Sequence, residues 1–387
     1  MERLLPPHFE RKTMKQAAYD LRYLAACAVN GIMPEKEKIE TMDLEKLYKM
    51  SRSHSLSALA SMTLASGGVK ISSEWKAEQD KAVRKNILFD SERAKLLQFM
   101  EQNGIWYLPM KGIILKDMYP KLGMREMADN DILFDKSRQE DVLTFMKQNG
   151  YDAASVGKGA HDTYYKPPVF NFELHTRMFA ESTSEIFSTY YENIKEKLIP
   201  DEGKHYAYHM SDEDYYIHMV AHEHKHFSHS GTGLRSLIDR YVYLSKKGSA
   251  LDFEYIENEC MALGIAAFEK DSRVLCKKTF SDPKLPILTE KETEMLEYYM
   301  FSTTYGTMSQ SIQHRIEKEY GTSNKSARFR YLMRRIFPKV DFYKDFCPVA
   351  YKYKILIPAV WFYRLVRALF KRRKQIKHEF DVVNRLK

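Results

Sequence analysis

The chain has 387 residues, 44% hydrophobic and 29% charged, with 16 Gly and 13 Pro. That length allows two or three structural units, and the composition excludes a collagen-like or largely disordered protein. The formal charge of +9 points first to a nucleic-acid or anionic-membrane partner, yet residues 325–387 carry 18 Lys and Arg against 4 Asp and Glu, or +14, leaving −5 for the rest and excluding a uniformly basic surface.

In chain order, the first hundred residues read as helix. Leu44, Leu47 and Tyr48 share one face at the spacing of an amphipathic helix, Ser66-Gly67-Gly68 breaks the pattern, and a long helix is predicted over 73–102, stopped by Asn103-Gly104. The period then changes. A β-prone run at 105–110 leads into Lys111-Gly112, a short helix at 113–118 and Tyr119-Pro120. A second strand is predicted at 129–134, a helix at 137–148 and a third strand at 169–176. From Ser211 onward the helical period persists, cut by Pro338, Pro348 and Pro358. The expected fold is α+β and predominantly helical: a helical region at 1–104, a small mixed sheet with helices at 105–205, and a helical region with a basic tail at 206–387.

Cys27, Cys260, Cys276 and Cys347 are scattered and form no C-x-x-C pair, so they read as reduced thiols of a cytoplasmic protein. The N-terminus has no apolar run of signal-peptide length, and the most apolar stretch, 355–370, is interrupted by Pro358, Arg364 and Arg367. No transmembrane segment is expected, which leaves a soluble or at most peripherally attached protein.

Asp129 and Asp131 lie two apart on a predicted strand, so their carboxylates point to one face about 7 Å apart. Mutual repulsion at that spacing is relieved by a divalent cation, and Mg²⁺ suits two carboxylates together with waters and phosphate oxygens. Glu173 offers a third carboxylate if its strand pairs beside the second; Phe172 and Leu174 fit burial, while Glu173 and His175 share the opposite face. Upstream, Gly112 lets phosphate approach the backbone at the start of a helix, Lys111 adds a full charge and Arg125 adds a fork of donors. Taken singly, each has a plainer reading as an exposed carboxylate, a solvated cation or a tight turn.

Residues 108–134 resemble the core of an uncharacterised bacterial nucleotidyltransferase-like family within the DNA polymerase β-type superfamily: Lys111-Gly112, a helix ending in Tyr119-Pro120, Arg125, then Asp129-Asn130-Asp131. Weaker resemblance extends to 43–64, 172–175, 328–338 and 355–367. The resemblance implies that Asp129, Asp131 and Glu173 bind catalytic Mg²⁺ or Mn²⁺, that Lys111, Gly112 and Arg125 hold the triphosphate of an NTP, and that an NMP passes to a hydroxyl of an unidentified acceptor, whether protein, RNA or small molecule. Two departures stand out. Lys111-Gly112 replaces the Gly-Ser of the broader superfamily, and Asn130 replaces an apolar residue, so Asn130 needs a hydrogen-bond partner if buried. A non-catalytic relative that binds nucleotide or RNA is the alternative.

Five histidines fall in 218–229, among them His222-Glu223-His224-Lys225-His226, a literal H-E-x-x-H. On a helix, His222 and His226 would share a face as zinc ligands with Glu223 as base, which makes a zinc metallopeptidase the rival reading. The extended motif's Gly is absent, since His229 occupies that position. In the resemblance reading, His222 and His226 line the active site and contact phosphate or acceptor, and Arg235 and Asp239 pack against the core. The tail at 325–387 reads as a packed helical subdomain with one cationic face and a secondary role toward an anionic partner.

Overall fold

The computed structural model describes residues 8–157, 159–180 and 184–303, and beyond these 312, 316, 319–321, 324–340, 342, 343, 347–371, 380 and 383. By its internal contacts the chain forms two units, one of Met1–Lys225 with Thr232–Thr304, the other of His226–Gly231 with Tyr305–Lys387.

The first unit opens on five helices: α1 (His8–Val29), α2 (Lys36–Glu40), α3 (Leu44–Ser53), α4 (Ser57–Ser66) and α5 (Ser73–Gln102). Asp43 caps α3, its side chain accepting from Lys46 N at 3.1 Å. The α4 helix is buried from Ser57 to Leu64, with Ala58, Leu59, Ala60 and Leu64 fully buried, as a core helix requires. At the end of α5, Gly104 takes φ +68°, and Ile105 N bonds back to Met100 O at 2.9 Å. This closing turn needs a residue free of Cβ strain, which is why Asn-Gly stops the helix.

The sheet follows: β1 (Tyr107–Pro109), α6 (Gly112–Leu115), β2 (Asn130–Phe134), α7 (Gln139–Gln148), β3 (Asp152–Ser155), β4 (His161–Lys166) and β5 (Phe170–His175). Strand order is β1-β2-β5-β4-β3; β2 and β5 run parallel and the other neighbours antiparallel. The β3–β4 hairpin adds two strands to the three expected. One face carries Tyr107, Ile132, Phe134, Tyr164, Phe172 and Leu174 into a core shared with Phe89, Leu96 and Met100 of α5 and Val142 and Met146 of α7. By strand alternation the other face presents Asp131, Leu133, Glu173, His175 and His161. Asn130 points into the core face, fully buried, and Arg93 Nη1 donates to its Oδ1 at 2.9 Å.

Beyond the sheet come α8 (Glu185–Tyr190), a two-stranded pair β6 (Ile199–Pro200) and β7 (Tyr208–His209), and the helices α9 (Asp212–Phe227), α10 (Leu234–Lys247), α11 (Phe253–Ala262), α12 (Ala266–Phe280) and α13 (Glu290–Ser302). This is a predominantly helical α+β fold around a small mixed sheet.

In the second unit, Ile312, Ile316, Ala327, Tyr331 and Val383 form a small core. Trp361 Nε1 donates to Ile336 O at 2.8 Å and its ring stacks on Phe337 at 5.3 Å, while Arg364 lies 5.2 Å from the Phe342 ring. These side chains close the C-terminal end of helix Lys325–Ile336, so part of the tail's basic-aromatic pattern is packing. The Arg372-Arg373-Lys374 run lies outside the described residues. Among the described residues, no helix is long and apolar enough to cross a membrane.

Candidate active site

Parallel pairing of β2 with β5 sets Asp131 opposite Glu173 and Leu133 opposite His175. The strand period therefore turns Asp131, Glu173 and His175 to one face, and Asp129, the residue before β2, joins them at its start. Burial pushes the Asp129 carboxyl up to about 7, with the charges of Asp131 and Glu173 adding to the rise. Burial also works against a charged Asp131, but Lys111 and His175 hold its carboxyl well below the usual range. Three carboxylates crowd one surface, and Lys111 is the ammonium in direct contact, its Nζ 2.6 Å from Asp131 Oδ1. Clustered carboxylate oxygens of this kind fit a hard divalent cation.

Two imidazoles complete this surface. His175 Nε2 lies 2.9 Å from Asp131 Oδ1, and since a carboxylate only accepts, Nε2 carries the donated proton. Burial lowers His175 to about 4, helped by nearby Lys111, so the ring is neutral at pH 7. On the adjoining strand, His161 stands directly opposite His175, with Nε2 3.7 Å from Glu173 Oε2.

The Lys111-Gly112 turn has a conformation unusual for lysine, with φ +51° and ψ −119° at Lys111 and Ile113 N bonded to Met110 O at 3.2 Å. These angles match the first central residue of a type II′ turn, where glycine is normally required, so Lys111 is strained by about 1–3 kcal/mol. The turn is secured from α9, where Tyr215 OH donates to Lys111 O at 2.8 Å. Gly112 is packed from behind: a Cβ there would lie 2.5 Å from Arg125 Nη1 and 3.0 Å from Met127 Sδ. The helix that follows is a single turn, so any phosphate would meet the backbone of this turn rather than the end of a long helix.

Arg125 does not face the carboxylates. It is buried and forks onto Asp239, with Nε to Oδ1 at 2.9 Å and Nη2 to Oδ2 at 3.0 Å, while Tyr119 OH donates to the same Oδ1 at 2.6 Å. Two of its guanidinium nitrogens are thus engaged in an internal pair, since a guanidinium taken from water needs a carboxylate, and the third, Nη1, lies behind Gly112. Other cations act on the carboxylates. Arg235 and Lys85 act on Asp129, and Lys225 acts on Lys111, Glu173 and Asp131.

The histidine run divides. Tyr215, His218, His222 and Lys225 recur at helical spacing along one side of α9, and His218 packs its ring against Phe179, Tyr191 and His222 at 5.8–6.2 Å. His222 is therefore a neighbour of the buried His218. His226 belongs to the second unit. Glu223 is buried with both oxygens engaged, one in an ion pair with Arg240 and the other accepting from Tyr299 OH at 2.6 Å. A carboxylate so held cannot serve as a peptidase base, and the zinc-peptidase reading fails on that ground.

A cavity of about 510 Å³ is lined by Leu133, Thr176, Arg177, Phe179, Tyr191 and Lys195 among others. Leu133 is two residues beyond Asp131, and Thr176-Arg177 continue directly from His175. The sequence reading missed His161, Lys225 and Tyr215. The signal for Lys225 was its place in the α9 stripe; His161 gave none while its hairpin was unread.

No curated protein and no solved structure shows significant similarity to the chain. A family match does, and it covers residues 40–281, from α2 through the sheet and its carboxylates to the end of α12. The chain belongs to the family of uncharacterised nucleotidyltransferases.

Proposed function

We propose that the protein moves a nucleoside monophosphate from an NTP to a hydroxyl of an acceptor, with Mg²⁺ or Mn²⁺ held by Asp129, Asp131 and Glu173. The observation that carries this reading is the β2–β5 register, which sets Asp131 beside Glu173, next to an Asp129 carboxyl raised first by burial and then by the charges of these two neighbours. Bound divalent cations would supply charge neutralisation for the triphosphate and a lowered pKa for the attacking hydroxyl. The protein's own part is positioning. Asp129, once deprotonated, completes the carboxylate set; Lys111 and Lys225 bring ammonium groups toward the phosphates; Gly112 lets phosphate oxygens approach the turn. The cavity lined by Leu133 and Thr176-Arg177 receives the acceptor. The basic tail at 325–387 is read as the surface for an anionic partner.

One observation favours a second reading. Asp131 already holds Lys111 and His175, and the turn lacks a hydroxyl, so a relative that binds nucleotide without transferring it would need no further change. Incubation with each labelled NTP, Mg²⁺ or Mn²⁺ and cell extract tests both. Labelled acceptor that disappears in Asp129→Asn, with the thermal unfolding of that variant unchanged, supports transfer. Wild-type turnover in Asp129→Asn would sink it, and nucleotide binding without any turnover would select the second reading.

A further inference from the structure

We propose that His161, Glu173 and His175 form a binding site for a divalent transition-metal ion, with zinc as the best-suited occupant. The site adjoins the proposed transfer centre and shares Glu173 with it, but it requires no nucleotidyl transfer.

The sheet itself creates the arrangement. His161 and His175 are directly paired across β4 and β5, with ring centroids 4.9 Å apart, and Glu173 precedes His175 by two residues on the same face. One ligand atom from each of the three lies within 4.8 Å of the other two. Glu173 Oε2 is 3.7 Å from His161 Nε2 and 4.0 Å from His175 Nε2. Tetrahedral zinc with nitrogen and oxygen ligands at about 2.0–2.2 Å needs them about 3.3 Å apart, so the Glu173 contacts must shorten by about 0.4 and 0.7 Å and the two imidazoles by at most about 1.5 Å to close the site. Side-chain torsions supply that without moving the backbone. Ligation through Nε2 needs its proton moved to Nδ1, which has no hydrogen-bond partner among the described residues, so no second bond holds the ring in its present tautomer or against the small rotation that brings Nε2 from Asp131 toward a shared ion.

The donor set decides the class of metal. Two imidazoles and one carboxylate suit zinc and its first-row neighbours, whereas magnesium prefers oxygen alone. Charge agrees: Asp131 has Lys111, while the ion-pair neighbours of Glu173 are the two imidazoles. His161 and Glu173 remain 38% and 26% exposed, which leaves a route for the ion and open positions for water or another ligand.

Metal-stripped full-length protein titrated with Zn²⁺ and separately with Mg²⁺, without nucleotide, tests the site by calorimetry, and Co²⁺ substitution reports imidazole ligation in its visible spectrum. One zinc per chain is expected, bound far more tightly than magnesium. Loss of outer partners alone weakens metal sites by about 10–100-fold, so His161→Ala, or His161→Gln should the first variant fold poorly, is expected to lose at least about 100-fold in zinc affinity. Asp129→Asn should keep its zinc even as it loses any transfer activity, which separates failure of this site from failure of the transfer reading. Zinc binding unchanged in both His161 variants, or lost instead in His222→Ala, would overturn the proposal.

Discussion

Arg125 and Asp239 stand 114 residues apart in the chain yet meet in the interior as a two-bond fork, and the remaining guanidinium nitrogen, Nη1, backs the Gly112 turn. The pair thus ties α10 to the segment that shapes the candidate phosphate turn. Removing one member of a buried pair strands the other, at a cost of about 3–5 kcal/mol. Asp239→Ala is expected to lose stability on that scale by urea denaturation, and a loss below about 1 kcal/mol would show that Arg125 finds another partner.

Gly112→Ala places a methyl against Arg125 and Met127. Overpacking of this kind costs about 1–3 kcal/mol, and the expected result is a lower midpoint of denaturation together with loss of NTP-dependent labelling.

Lys111 separates side chain from backbone. Lys111→Gly and Lys111→Ala both remove the ammonium beside Asp131, but only glycine relieves the positive φ. The glycine variant should be about 1 kcal/mol more stable than the alanine variant, and both should lose nucleotide affinity. Equal stability in the two would mean that the turn relaxes once the lysine is gone.

Glu223 is expected to behave as a structural carboxylate. Glu223→Ala should destabilise the protein by about 3–5 kcal/mol, whereas Glu223→Leu combined with Arg240→Leu should recover part of that loss, because an apolar pair avoids the desolvation of two charges. Double-mutant analysis of denaturation curves measures the recovery.

Burial pushes the thiols of Cys260 and Cys276 up to about 12. A thiol raised in the folded state keeps its stabilising contribution below the unfolded value near 9 and loses it as pH rises toward 12. Neither cysteine should react with iodoacetamide at pH 8.5 in the native protein, and both should react in urea. Rapid native labelling of either would contradict the burial.

Much of this was legible locally. The 73–102 helix reads from its composition and its Asn-Gly stop, and the Asp129–Asp131 spacing fixes which carboxylates share a face. Asn130 announces its need for a partner, though not that Arg93 supplies it. What stayed hidden depends on distant pairing. No local pattern tells Arg125 that Asp239 awaits it, so it reads as a phosphate ligand. The β3–β4 hairpin escaped because Asp162 and Tyr164 of β4 point into the core while Thr163 and Tyr165 point out, so polar and aromatic residues fall on both faces and blur the alternation. The His-rich run misled in the opposite direction, since its literal motif includes a glutamate that turns inward.

His175 and Asp131 lie 44 residues apart in the chain, yet they are held by adjacent strands in the middle of the sheet, while the intervening hairpin places β3 at its outer edge with Asp152, Ala153 and Ala154 exposed. Strand β3 can therefore lengthen or shorten at that edge with little consequence for the carboxylate face, provided β4 keeps His161 opposite His175. There is no such latitude between β2 and β5, where a slip of one residue would turn Glu173 and His175 into the apolar core and bring Phe172 and Leu174 out to meet the substrate.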